Sequence, residues 1–311
     1  MTMKKIAIIG TGQVGQAIAH QLARENFCND IVLLGRNKDM AQGIALDIEH
    51  AIPLFKSNSI ISGDSNYSAI ADSDIVVITA GVPRKPGMSR LDLLDSNRVI
   101  VEEIIQNVIT YAPNAYLIIV TNPVDILTYH AWKMTGWSRN RVIGLSCILD
   151  SARMSSLIGK KTGYSVREIS ALVIGGHGDA MVPLPRFSRI NGIPIDIFLS
   201  QSEIDDIVKQ TRLAGGAIVA LKGVSGFIAA AASVVSMLDA IVNDRNHILP
   251  CVAVLEGEYG YDKIALGVPT VLGGEGVTSI IELPLIADEK KLLQQSADEI
   301  KEKIEQLNAL K

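Results

Sequence analysis

The stretch IAIIGTGQVGQAIA, residues 6–19, narrows the possible folds more than any other part of the chain. An unbroken apolar run ends at Gly10, glycines recur at positions 12 and 15, and a helical pattern follows. The first glycine permits a tight turn, the second lets the backbone approach a bulky anion, and the third lets helix and strand pack closely. The start of the helix then points free N–H groups at the anion. This strand–turn–helix unit predicts a dinucleotide site, with Gly10, Thr11, Gly12, Gln13, Val14 and Gly15 cradling the pyrophosphate.

The pattern continues downstream. DIVLLG, SIIS, DIVVITA, AYLIIV and NRVIGLS are further strand candidates. KDMAQGIALDIEHAI and SNRVIVEEIIQNVITYA read as helices between them. Apolar runs without alternation suit parallel strands buried on both faces. The expected fold is α/β: a Rossmann-type doubly wound parallel sheet over residues 1–148, the dinucleotide-binding domain. An α+β substrate-binding and catalytic domain is expected over 149–311, fused closely to the first, with a cleft between them. There the chain shows a strand, a loop and an extended segment in REISALVIGGHGDAMVPLP. A long helical region follows from Gln201 to Val242, then antiparallel strands in CVAVLEGEYG and KIALGVPTVLGGEGVTSIIEL. The C-terminal helix places Leu292, Leu293, Ile300, Ile304 and Leu307 roughly on one stripe.

The second strand, IVLL, stops at Gly35, 20 residues beyond Gly15. A carboxylate is expected there in an NAD site, where it holds the ribose hydroxyls and repels a 2′-phosphate. The chain has Gly35, Arg36 and Asn37 instead. Arg36 suits a phosphate, and Asn37 could donate a hydrogen bond. The alternative is a solvated Arg36, with NAD held by the rest of its surface. The sequence leaves NAD and NADP both open.

Composition removes other classes. The 311 residues are 48% hydrophobic and 20% charged, ordinary for a globular protein with a sizeable core. A net charge of −4 argues against nucleic acid or an anionic membrane as the main partner. Cys28, Cys147 and Cys251 are far apart and form no CxxC pair, which points to buried thiols in a reducing compartment. The N-terminal apolar run is too short for a signal peptide, and GFIAAAASVVSMLDAIV is interrupted by Ser233, Ser236 and Asp239. A cytoplasmic protein is expected. Asp47, Glu49 and His50 do not make a convincing metal site, and no metal is expected. His20, His50, His130 and His247 read as structural.

Three stretches carry side chains fit for one reaction. GVPRKPGMSRLDLL holds Arg84, Lys85 and Arg90. LDSAR places Asp150 and Arg153 on one helical turn. GGHGDAMVP sets His177 among glycines on a loop. With the glycine turn, TNPVDILTY and EGEYG…GVPTVLG, these motifs make the chain resemble the lactate/malate dehydrogenase family along nearly its whole length. It is most similar to the malate dehydrogenases built on the lactate dehydrogenase pattern.

The resemblance implies roles. His177 is the general acid and base, and Asp150 fixes its tautomer and stabilises the imidazolium. Arg153 binds the substrate C1 carboxylate through a two-point fork. Arg90 polarises the reacting carbonyl when its loop closes. Asn122 positions substrate or cofactor, and Ser225 lines the substrate pocket. Gly35, Arg36, Asn97, Thr121 and Asn122 join the glycine turn in holding the cofactor. Arg84 stands where lactate enzymes of the family carry glutamine and malate enzymes carry arginine. Facing a methyl group in a closed site, it would be a buried unpaired charge costing roughly 3–5 kcal/mol. Malate and oxaloacetate are therefore expected, with lactate dehydrogenase as the alternative enzyme. A dinucleotide-binding regulator without catalysis is the alternative from another class. The small-residue helix over 215–242 suggests packing between subunits, and the resemblance implies a homodimer or homotetramer.

Overall fold

The computed structural model describes residues 5–83 and 90–309, without the Arg90 side chain. The first half alternates as the apolar runs require. It comprises β1 (Lys5–Ile9), α1 (Gln13–Glu25), β2 (Asp30–Leu34), α2 (Lys38–Phe55), β3 (Ile60–Asp64), β4 (Ile75–Ile78), α3 (Arg90–Tyr111), β5 (Tyr116–Ile119), α4 (Val124–Thr135) and β6 (Val142–Gly144). All neighbouring pairs among β3-β2-β1-β4-β5-β6 are parallel. The strand order reverses between β1 and β4, and ligands of such sheets bind outside the carboxyl ends at that point. α1 shows why its sequence folds: Gly15, Ile18, Ala19, Leu22 and Ala23 are buried, the spacing of one helical face.

The second half holds α5 (Cys147–Thr162), β7 (Ile169–Ser170), β8 (Val173–Gly175), β9 (Met181–Pro183), β10 (Arg189–Ile190) and β11 (Ile193–Pro194). Then come α6 (Gln201–Lys222), α7 (Ile228–Val242), β12 (His247–Glu256), β13 (Asp262–Gly273), β14 (Gly276–Ile280) and α8 (Ala287–Ala309). β12, β13, β8 and β9 continue the sheet antiparallel, so one sheet of eleven strands runs through both halves. The joint is narrow: β6 and β12 share the single pair Gly144–Val252. One apolar cluster joins Ile9, Val76 and Leu117 to Val252, Leu266 and Ile300; another joins Ile8 and Ile31 to Val234 and Leu238. The core therefore crosses between the halves on both faces of the sheet.

Three expectations need correction. The helical region 201–242 is two helices, because Gly223 caps α6 at φ +75° and the chain turns before α7. Leu292 lies off the buried stripe of α8 and is 38% exposed, while Leu293, Ala297, Ile300, Ile304 and Leu307 are buried. α3 begins at Arg90, earlier than the pattern from Ser96 suggested. No helix among the described residues is long and apolar enough to cross a membrane, and the three cysteines are buried and outside any disulfide.

Candidate active site

The glycine turn sits at the carboxyl end of β1. Gly10 has φ +121°, and its N–H donates to the Leu34 carbonyl at 2.8 Å. A Cβ there would meet Thr79 Oγ1 at 2.5 Å and the Ala80 nitrogen at 2.6 Å, and a Cβ on Gly15 would overlap the Gly10 carbonyl oxygen. At Gly12, the N-cap of α1, a Cβ would meet nothing within 4 Å. Two glycines are thus spent on packing, while the middle one presents bare backbone to open space. The first turn of α1, where Gln13 and Val14 lie, carries no acidic side chain, so nothing there opposes the positive end of the helix. Gln16 braces the turn by donating from Nε2 to the Thr11 carbonyl at 2.9 Å. These features fit a pyrophosphate.

At the end of β2, Thr11 occupies the space a side chain on Gly35 would need. A Cβ at Gly35 would lie 2.6 Å from both Thr11 Oγ1 and Thr11 Cγ2. The missing carboxylate is therefore built into the turn, not an isolated substitution. Arg36 is exposed, and no acidic side chain among the described residues pairs with it. Asn37 caps α2, its Oδ1 accepting the Met40 N–H at 3.0 Å. Lys38 Nζ stands 3.8 Å from Asp64 Oδ1.

The ends of β4 and β5 are tied together from beneath. Asn97, 1% exposed, accepts the Val82 N–H at 2.7 Å and donates to the Asn122 carbonyl at 2.7 Å. Thr121, also buried, donates to the Ala80 carbonyl at 2.7 Å. Both side chains are engaged in shaping the turns. Asn122 is exposed at the tip and precedes Pro123 through a cis peptide.

His177, Asp150 and Arg153 come together. α5 starts at Cys147, so Asp150 lies in its first turn, where the helix dipole favours an anion. Asp150 is wholly buried; its Oδ2 lies 3.0 Å from His177 Nδ1 and its Oδ1 accepts from Arg153 Nη1 at 2.8 Å. An ionised carboxylate only accepts, so His177 Nδ1 carries the hydrogen and Nε2 is left for a reacting group. Burial would push the His177 pKa down, but the charge of Asp150, its hydrogen bond and the charge of Asp125 outweigh burial and hold it above its ordinary value. Across from Arg153, α6 passes with Gly215, where a Cβ would stand 3.7 Å from Nη2.

Ser225 lies exposed in the turn between α6 and α7 and is not brought against this trio by any hydrogen bond. Arg84 lies outside the described residues, as does the side chain of Arg90.

Two neighbours of His177 escaped sequence reasoning. Asp125, 4% exposed near the start of α4, accepts the His177 main-chain N–H on Oδ2 at 2.9 Å. Ser296 on α8 accepts the Gly176 N–H on Oγ at 2.8 Å. The histidine loop is thus held from α4, α5 and α8 at once. The signal available for Asp125 was its place within TNPVD, three residues after Asn122. Ser296, far along the chain in a polar helix, had none.

Known proteins place this arrangement. The NAD-binding domain of lactate/malate dehydrogenase matches residues 4–144, and the alpha/beta C-terminal domain of the same family matches 147–311. The chain is 51% identical over 302 residues to a malate dehydrogenase of Nitrosococcus oceani, covering 97% of each. It is 49% identical to one of Thioalkalivibrio sulfidiphilus, covering 98% of this chain and all of that one. Among solved structures, Cryptosporidium parvum malate dehydrogenase superposes with TM-score 0.95 at 39% identity, covering 99% of both chains. A lactate dehydrogenase of the same organism, solved with lactic acid and β-nicotinamide adenine dinucleotide, also reaches 0.95, at 37% identity over 99% of both. By sequence along its whole length and by fold, the chain belongs to the lactate/malate dehydrogenase family.

Proposed function

We propose that this protein is a malate dehydrogenase, interconverting (S)-malate and oxaloacetate with a nicotinamide dinucleotide. The observation that carries the reading is the buried Asp150 joined to both His177 and Arg153, one carboxylate holding an acid–base group and an anion-binding group in register. The bound dinucleotide supplies or takes the hydride at the substrate carbon. His177 Nε2 gives a proton to the carbonyl oxygen in reduction and takes it back in oxidation. Asp150 keeps the proton-bearing tautomer fixed and stabilises the imidazolium. Arg153, with Nη1 held by Asp150, offers its remaining N–H groups to the substrate C1 carboxylate. Arg84 takes the second carboxylate, Arg90 polarises the carbonyl, Asn122 positions substrate and nicotinamide, and Ser225 borders the pocket. Residues 1–148 supply the cofactor half and 149–311 the catalytic half, the protein working in the cytoplasm.

The adenosine end favours NADP. Supporting this, Thr11 fills the room a carboxylate at position 35 would use, and Arg36 stands exposed beside it. Arg36 then meets the 2′-phosphate. A homodimer or homotetramer is supported by exposed apolar side chains on helices: Leu54 on α2, Leu213 and Leu221 on α6, and Ile228 on α7.

The test is kcat/KM for oxaloacetate and pyruvate, each with NADH and NADPH, beside Kd values for NAD+ and NADP+ by calorimetry. Oxaloacetate should win over pyruvate, and His177→Asn should lose roughly 10²–10⁴-fold in turnover while still binding cofactor. Faster turnover of pyruvate would overturn the substrate reading. Tighter binding of NAD+ than NADP+ would overturn the cofactor reading alone.

A further inference from the structure

Asp125 is placed oddly for a merely structural residue. Its Oδ2 accepts one main-chain N–H, that of His177. Its Oδ1 is buried and has no hydrogen-bond partner among the described residues. An unpaired buried oxygen is destabilising. Asparagine or serine could accept the same N–H without burying a charge, so a prop alone does not account for a carboxylate.

The surroundings give the carboxylate a use. Asp125 is the second residue of α4, where the helix dipole favours a negative charge. The charged and titratable groups facing it come from three elements: His177 on its loop, with Cys147, Asp150 and Arg153 of α5 behind it, and Lys303 of α8. Burial raises the Asp125 pKa, while the His177 N–H and the charges of His177 and Lys303 draw it back. Its negative charge is therefore best tolerated when the imidazole is protonated.

We infer that Asp125 is a positioning residue for His177, fixing its main chain and setting a second negative charge against its ring. Asp150 works through the ring nitrogen and Asp125 through the backbone, so the imidazolium is stabilised from two sides. Because Asp125 follows Asn122 by three residues, it also ties the segment after β5 to the histidine loop. The inference rests on His177 being the proton donor, as proposed above.

The experiment compares Asp125→Asn with Ser296→Ala. Asparagine keeps the acceptor and removes the charge; Ser296→Ala loosens the adjoining N–H contact and leaves every charge in place. His177 is titrated by NMR through its Cε1–H signal in the intact protein, and the pH profile of kcat/KM for oxaloacetate reduction is measured beside it. Asp125→Asn should lower the His177 pKa by about half a unit to one unit and move the falling limb of the profile to lower pH by the same amount. Ser296→Ala should lower kcat without moving either. If Asp125→Asn fails to fold, Asp125→Ser, smaller and also neutral, carries the same expectation. An unchanged His177 titration in a folded neutral variant overturns the inference. Should Asp125→Asn shift the His177 titration while the parent protein does not turn over oxaloacetate, the proposed activity fails and the coupling stands.

Discussion

The contact between Thr11 and Gly35 makes a prediction that a single substitution cannot satisfy. Converting this site to an NAD-type ribose pocket by Gly35→Asp alone should fail, because the new Cβ lands 2.6 Å from both Thr11 γ atoms. Threonine is stiff at χ1, and since both of its γ positions are blocked, rotation does not relieve the clash. Overpacking of this kind costs about 1–3 kcal/mol, or a melting point lower by ~2–4 °C per kcal/mol. Thr11→Ala removes both γ atoms, so the double variant Thr11→Ala/Gly35→Asp should recover most of the loss. The coupling energy in the four-member cycle should be favourable by at least ~1 kcal/mol. Binding then separates from stability. A carboxylate about 4 Å from a 2′-phosphate is repelled by ~1 kcal/mol if fully solvated and ~4 kcal/mol at an effective dielectric of 20, a loss of about 5- to 10³-fold in NADP+ affinity. NAD+ should gain in the double variant through its ribose hydroxyls. Melting curves and calorimetric titrations with both nucleotides read the two effects separately. If Gly35→Asp alone melts with the parent and switches preference, the argument from Thr11 is refuted.

Three shorter expectations follow from other contacts. Asp150→Asn removes the main group that holds the His177 pKa up, so the limb of oxaloacetate reduction should fall at lower pH and turnover should drop; NMR of His177 and rate–pH profiles check it. The sign for stability is the same: a raised histidine pKa stabilises below the unfolded value, and that part is lost as pH rises through the folded one. Arg139 grips Glu258 with two bonds of 2.8 and 3.0 Å and lowers its pKa to about 2. Glu258→Gln should therefore cost stability at neutral pH by about 1–3 kcal/mol, and the difference from the parent should fade as pH falls from about 4.5 toward about 2, as acid melts would record. Leu221, 91% exposed on α6, should tolerate Leu221→Asp as a folded chain but weaken self-association in light scattering; an unchanged mass would count against its place in an interface.

The parallel half of the fold was legible because strands buried on both faces must be continuously apolar and the glycine turn fixes which helix follows which strand. The trio of Asp150, Arg153 and His177 was legible through motifs, and the structure brings both His177 and Arg153 within 3.0 Å of the Asp150 carboxylate. α4 was not identified as a helix. Seven of its twelve residues are buried, so its sequence shows no polar face to reveal a period. Contacts between distant residues were equally hidden: Thr11 against Gly35, Asp125 under His177, and the single Gly144–Val252 pair that makes two half-sheets one. Each depends on where separate elements meet, which no local pattern encodes. The bonds by which Asn97 and Thr121 brace the backbone of the turns after β4 and β5 were hidden in the same way.

The bond from Gly176 to Ser296 sets a condition on the order of synthesis. All the parallel strands have been made when β6 leaves the ribosome, and their pairing with one another needs no later strand. The histidine loop is different. Residues 176 and 177 are made long before α8, which supplies one of their two main-chain anchors. A chain stopped in the loop before α8 therefore carries Asp150, Arg153 and His177 but leaves the histidine loop held from one side less. That same helix also gives Leu293, Ile300, Ile304 and Leu307 to the core shared with β1, β4 and β5, so both the histidine loop and the sheet beneath it wait for the last segment to be made.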